Sequence, residues 1–326
     1  MSLSRRVLLS GCLPSLSVAC AVANSAQAQA PSQIRLDFAT YNPVSLVLKE
    51  RGILEKELAG DRIGVRWVQT LGSNKALEFL NASSIDFGST AGAAALIARI
   101  NGNPIRSIYV YSRPEWTALV TRKESGIKSV ADLKGKRVAV TRGTDPHIFL
   151  VRALADAKLT ERDVKLVLLQ HPDGRTALER GYVDAWSGLD PLMAAAEVDS
   201  GAVLFHRDAA ANTWGILNVR EAFAREHPAL VGRVLKAYEE ARNWALANPA
   251  ELKRIMMAAT GLPETVIQRQ LERTELTHSR IGPEQRDTIV KAGLALKEAG
   301  VLPAETKVEA VTDALIEPRF VAAATQ

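Results

Sequence analysis

Three places along the chain set small polar residues between an apolar run that reads as a strand and a segment of helical periodicity. They are Leu71-Gly72-Ser73-Asn74 before the helix at Lys75, Gly88-Ser89-Thr90-Ala91-Gly92 after 85–87, and Arg142-Gly143-Thr144-Asp145-Pro146-His147 after 137–141. Such a junction presents unbonded backbone N–H groups at a helix N-terminus, where the helix dipole favours negative charge. Each alone also reads as an ordinary N-cap. Three in one chain, each behind a strand, point to a small anionic ligand held mainly at Ser73 and at Ser89 and Thr90. At the third junction Asp145 stands where an N-cap belongs and Pro146 where the first helical residue belongs, so a carboxylate already occupies the donors an anion would use. Asp145 is then either a helix cap or a partner for an ammonium or hydroxyl group on the ligand. His147 either donates to the anion or lies in the first turn as a surface histidine.

A fourth run, Tyr182-Val183-Asp184-Ala185-Trp186-Ser187-Gly188-Leu189-Asp190-Pro191, ends in a second acid–proline helix start. Asp184 reads as a turn residue, and Trp186 as either core or the wall of a cleft. Trp116 and Trp214 stand where the chain is expected to cross between lobes, and they either pack the crossing or stack on a ligand. Catalytic patterns are poor. The five histidines, His147, His171, His206, His227 and His278, have no metal-ligand spacing, and neither a G-x-S-x-G elbow nor a Walker or Rossmann glycine pattern is present. No catalytic residue, metal or cofactor is expected.

The elements that must position these residues alternate. Short apolar runs at 34–40, 63–69, 85–87 and 105–111 read as strands, with helices at 43–51, 74–81 and 91–100 between them. A second set follows, with strands at 116–121, 137–141, 165–170, 185–186 and 202–206, and helices at 146–157, 174–180 and 191–196. After a strand at 214–220 the pattern is helical only, and most of those helices start beside a proline. A helical tail makes no sheet of its own, so it is expected to pack back on the first lobe. The expected architecture is α/β: residues 31–115 and 214–326 as a discontinuous lobe 1, 116–213 as lobe 2, with a hinge of two crossings and a cleft between.

The 326 residues suffice for two such lobes with ample core. The formal charge of +5 is scattered among acids with no basic run beyond Arg5-Arg6, which argues against a nucleic-acid partner. Residues 1–28 read as a cleavable export signal: two arginines, an apolar stretch, and Ala26-Gln27-Ala28 before the cut. Ser4-Arg5-Arg6-Val7-Leu8-Leu9 fits either a twin-arginine or an ordinary signal, while the apolar stretch before Cys12 is too short for a lipoprotein anchor. Both cysteines, Cys12 and Cys20, lie inside it. The mature chain is therefore expected to have no cysteine nucleophile, no disulfide and a net charge of +3.

The succession Tyr41-Asn42-Pro43, Leu71-Gly72-Ser73 with Ala76-Leu77, Ile85-Asp86-Phe87-Gly88-Ser89-Thr90, the run from Ile127 to Ala139, Gly143-Thr144 with His147, and Asp184-Ala185-Trp186 with Asp190-Pro191 resembles the SsuA-like substrate-binding proteins of ABC importers for aliphatic sulfonates, taurine and nitrate. The resemblance implies a type II periplasmic-binding-protein fold and a periplasmic monomer. It implies capture of a small organic anion, sulfonate or taurine, by hinge closure, with delivery to a membrane permease and ATPase. It places Ser73, Ser89, Thr90, Thr144, His147, Asp184 and Trp186 near the ligand, with Tyr41 and Trp214 as walls. Asp145-Pro146 departs from the small hydroxyl residues of sulfonate binders. Two alternatives use the same fold: an enzyme of the desulfinase or thiamine-pyrimidine synthase type, which relies on cysteines absent from the mature chain, and a ligand-sensing ectodomain.

Overall fold

The computed structural model describes residues 30–320; the signal expected at 1–28, with both cysteines, and the tail at 321–326 lie outside the described residues. The first lobe opens with β1 (Gln33–Phe38), α1 (Pro43–Glu50), α2 (Ile53–Leu58), β2 (Gly64–Gln69), α3 (Ser73–Asn81), β3 (Phe87–Ala91), α4 (Gly92–Ile100) and β4 (Ile105–Pro114). Local chemistry explains the starts: Asn42 accepts the Ser45 N–H at 3.1 Å and Pro43 supplies the first helical residue of α1.

The second lobe holds β5 (Leu119–Thr121), β6 (Arg137–Val140), α5 (Asp145–Asp156), β7 (Lys165–Leu168), α6 (His171–Glu179), β8 (Ala185–Ser187), α7 (Leu192–Ser200) and β9 (Val203–His206). The chain then returns through β10 (Gly215–Arg220), α8 (Glu221–Glu226), α9 (Pro228–Ala247), α10 (Pro249–Thr260), α11 (Glu264–Leu271), β11 (Thr274–Glu275), α12 (Pro283–Glu298) and α13 (Val308–Leu315). None of these helices is long and apolar enough to cross a membrane.

Two sheets result, in the orders β11-β4-β10-β3-β1-β2 and β7-β6-β8-β5-β9. In the first, β1 runs parallel to β2 and β3, and β10 inserts antiparallel between β3 and β4. In the second, β6 is parallel to β7 and β8, and β5 is antiparallel to β8 and β9. The strand alternation of β6 divides the second lobe's core: Val138 and Val140 face Phe149, Leu150 and Leu154 of α5, whereas Ala139 joins Trp186, Leu178 and Met193 on the other face.

Most of the helical tail packs on the first lobe, α9 and α10 against α1, and α12 and α13 against α4. Helix α11 departs from that expectation. Its Val266 packs with Ala194 and Ala195 of α7, and Arg273 just beyond it bonds Asp190 at 2.9 and 3.1 Å and Glu197 at 2.6 Å. The same segment ties to the first lobe through Gln270 Nε2, which donates to Thr40 O at 3.0 Å. The tail thus bridges both lobes, because the apolar stripe of α11 is covered by the alanines of α7.

Candidate cleft between the lobes

Ser89 and Thr90, expected in a loop opening a helix, lie inside β3 and pair with Leu217 and Ile216 of β10. Both are fully buried. Ser89 Oγ donates to Asp37 at 2.9 Å and accepts from Asn42 at 2.8 Å, and Thr90 Oγ1 accepts from Asn218 at 2.7 Å. They are therefore a polar seam within the sheet, and the helix-terminus reading of this junction is corrected: β10 extends the strand by long-range pairing. Tyr41 joins the seam, its hydroxyl donating to Ser89 O at 3.0 Å while its ring meets Trp116 edge-on at 5.9 Å. Burial pushes Asp37 up to about 6, even though Ser89 and Thr70 donate to it.

Ser73 opens α3 as expected. Its hydroxyl accepts the Ala91 N–H at 3.0 Å, and Gly72 before it gives α3 no side-chain cap. Thr144 is the N-cap position of α5, yet its hydroxyl donates backwards to Thr141 O at 2.6 Å. Asp145 is the first residue of that helix rather than its cap. Its carboxylate accepts the Trp116 indole N–H at 2.8 Å, the Thr213 N–H at 2.9 Å and the Thr213 hydroxyl at 2.6 Å. Both alternatives read from sequence, cap and ligand partner, give way to a third: Asp145 ties α5 to the two connections between the sheets. Burial pushes its carboxyl up to about 6 against the opposing pull of these donors.

His147 is buried in the first turn of α5 with Nε2 2.8 Å from Glu161 Oε1, a bond that holds the Glu161 carboxyl below its usual range. Asp184 stands at the N-terminal end of β8, where it accepts from the Arg137 N–H at 2.8 Å and guanidinium at 2.9 Å. That is the end of the sheet opposite Thr144 and Asp145, so Asp184 is not gathered with them. Trp186 is fully buried on the inner face of β8 beneath α6, a core position, with its indole nitrogen unpartnered against Gly174. Trp214 packs its connection, edge-on to His278 at 5.0 Å and beneath the Arg113 guanidinium.

Of the residues that do meet across the lobes, Gly72, Asn74 and Gly143 belong to the polar junctions read from sequence, His171 reads there only as a histidine without metal spacing, and Gln170 is not singled out. Helix α6 begins at His171, three residues before the expected start, because Pro172 sits in its first turn. This puts His171 against the N-terminus of α3 in the other lobe. His171 is 1% exposed, neither ring nitrogen has a partner, and burial pushes its imidazole down to about 3. Asn74 Nδ2 donates across the cleft to Gln170 Oε1 at 3.4 Å, and Asn74 Oδ1 is buried without a partner. A methyl group on Gly72 would lie 2.9 Å from Asn74 Oδ1 and 3.1 Å from His171 Nε2. Gly143, at the head of the α5 loop, borders the same spot beside Asn74. The one available signal was the His171-Pro172 pair after a strand, a helix start of the same kind as the three junctions.

Two helix N-termini without side-chain caps, α3 and α6, therefore converge from different lobes on a nook lined by unpartnered polar atoms. Buried polar atoms are rarely left unpaired, so these fit a polar ligand. The donors are neutral, which suits an anion bound by hydrogen bonds and helix dipoles. Among the described residues no group of three His, Cys, Asp or Glu side chains is placed to hold a metal ion.

The profile of the NMT1/THI5-like family matches residues 60–252. The putative aliphatic sulfonates-binding protein of Escherichia coli K12 is 29% identical over 244 residues, 74% of this chain and 76% of that protein. The structure of the alkanesulfonate-binding protein SsuA of Xanthomonas axonopodis pv. citri bound to MOPS superposes with a TM-score of 0.80 at 24% identity, covering 89% of this chain and 99% of that one. The periplasmic aliphatic sulphonate binding protein SsuA of Escherichia coli gives 0.75 at 26% identity, covering 89% and 93%. These relatives share the periplasmic-binding-protein fold and are described as binding proteins.

Proposed function

The chain belongs to the NMT1/THI5-like family, and we propose that within it this protein is the substrate-binding component of an ABC importer, capturing a sulfonate or similar small organic anion in the periplasm. The observation that carries the reading is the nook between Gly72, Asn74 and His171, whose unpartnered polar atoms come from both lobes. A ligand there touches both lobes only when they are closed, so binding draws the population toward the closed form. No bond is broken. The α3 and α6 N-termini hold the anionic head, and a membrane permease and ATPase receive the ligand from the closed monomer. Support comes from the sulfonate-binding relatives and from the export pattern of residues 1–28.

A thermal-shift screen tests it. Purified protein is challenged with taurine, alkanesulfonates, aromatic sulfonates and nitrate. A ligand at 100 times its Kd adds about 2.7 kcal/mol, which for a chain of this size raises Tm by roughly 4 °C. At least one saturable rise is expected among the sulfonates. No shift with any of them overturns the reading, and steady release of sulfite would assign an enzyme instead.

A further inference from the structure

The nook already holds an unpartnered acceptor. Asn74 Oδ1 only accepts, and the oxygens of an anionic ligand only accept. His171 stands between them with both ring nitrogens buried and unpartnered, and Nε2 points at the same spot by Gly72 as Asn74 Oδ1. A neutral imidazole offers one N–H; an imidazolium offers two. We propose that His171 takes up a proton when an anionic ligand enters the nook, one N–H donating to the ligand and the other to a second acceptor of the site. The inference rests on the reading of this cleft as the ligand site.

The surroundings favour it. The charged side chains on the packed elements leave the nook without a fixed cation: Lys75 of α3 pairs with Glu78 at 2.7 Å, and Arg142 beside Gly143 and Asp173 of α6 are exposed. Gln170 and Trp186 bring no charge. Burial alone holds the empty ring neutral, with its imidazole at about 3. An anion placed against the ring reverses that balance, because an adjacent opposite charge favours the protonated form. The site is then uncharged when empty and complementary when loaded. A ligand lacking a permanent negative charge gives the ring no counter-charge, so His171 discriminates sulfonates from neutral isosteres.

Calorimetric titration of the mature protein with ethanesulfonate, whose charge is constant through the accessible pH range, decides the matter. At pH 6.5 in two buffers of different ionisation enthalpy, uptake approaching one proton per ligand is expected. Kd should weaken by up to about tenfold per pH unit as pH rises between the pKa of the empty ring and that of the loaded ring, and should level off above the latter. His171→Gln, checked for folding by its melting curve, should bind more weakly by about tenfold at pH 6 and show neither buffer-dependent heat nor pH dependence. Binding by the wild type with no proton uptake and a flat pH profile overturns the proposal while leaving the ligand site intact, and so does uptake that persists in His171→Gln. If neither ethanesulfonate nor any other sulfonate binds, the reading of the cleft itself fails, and the proposal with it. The wild-type titration is decisive even where the variant does not fold.

Discussion

The Thr213 hydroxyl donates to the Asp145 carboxylate at 2.6 Å while accepting the Ala93 N–H at 3.2 Å, a relay that runs from α4 in the first lobe through the second connection to α5 in the other lobe. Trp116, on the first connection, bonds the same carboxylate. One side chain therefore holds both strands of the hinge. The hydroxyl reaches Asp145 because the connection crosses directly over the start of α5, so this contact fixes where the second connection passes that helix.

Asp145→Ala leaves the Trp116 indole, the Thr213 N–H and the Thr213 hydroxyl buried without their acceptor. Each such orphan costs roughly 1–3 kcal/mol, so the variant should lose about 4 kcal/mol of unfolding free energy in urea denaturation. A loss below about 1 kcal/mol would show that the donors find other partners and that Asp145 does not organise the hinge.

Stability should rise as pH is lowered from 8 to about 5. Burial pushes Asp37 and Asp145 up to about 6 and Asp190 up to about 7, all from an ordinary 3.8. Between those limits the folded protein binds more protons than the unfolded chain, so this stabilisation is complete below pH 4 and is lost as pH rises through 6 to 7. His171, depressed by burial, acts in the opposite sense below its ordinary 6.5, its contribution being present above that pH and lost as pH falls. Three carboxyls outweigh one imidazole in this window. Urea midpoints at pH 8, 7, 6 and 5 measure the slope, and Asp190→Asn, which does not titrate, should flatten it between 7 and 5. A wild-type midpoint that falls across this range contradicts the assignment.

Gly72→Ala should impair binding while sparing the fold. The backbone at Gly72 is extended, with φ at 170°, so alanine is unstrained there, but its methyl group would crowd Asn74 Oδ1 and His171 Nε2. We expect the sulfonate-induced Tm shift to drop by at least half with an unliganded Tm within about 3 °C of wild type. Asp184→Ala is the control: it breaks an exposed pair with Arg137, worth about 1 kcal/mol or less, and should leave the ligand-induced shift unchanged. A full shift in Gly72→Ala, or its loss in Asp184→Ala, would move the site to the other end of the second sheet.

Much of the fold is legible in local patterns because apolar periodicity and proline starts are local. β1 and β2 and the prolines opening α1, α9, α10 and α12 need only their neighbours in sequence. The site was harder to read. Ser89 and Thr90 looked like the opening of a helix until β10, more than a hundred residues later, paired with them. Asp184 reads as a turn residue that the family resemblance sets near the ligand, yet its partner Arg137 places it at the far end of the sheet. His171 shows no metal spacing and only the helix-start signal of its pairing with Pro172, since its importance comes from a neighbour ninety-seven positions earlier, Asn74.

By itself the sequence determined the α/β alternation, the helical tail, the three polar junctions and the expected absence of a cysteine nucleophile, all properties of composition and short-range spacing. Tertiary structure alone decided which junctions face each other. It turned the second into a buried strand, bound the third to the hinge through Asp145, and set the first against His171 across the cleft. The physical reason is that a hydrogen bond to a buried group is satisfied by whatever the chain brings within about 3 Å, and that proximity is created by the packing of two lobes, which no local pattern encodes.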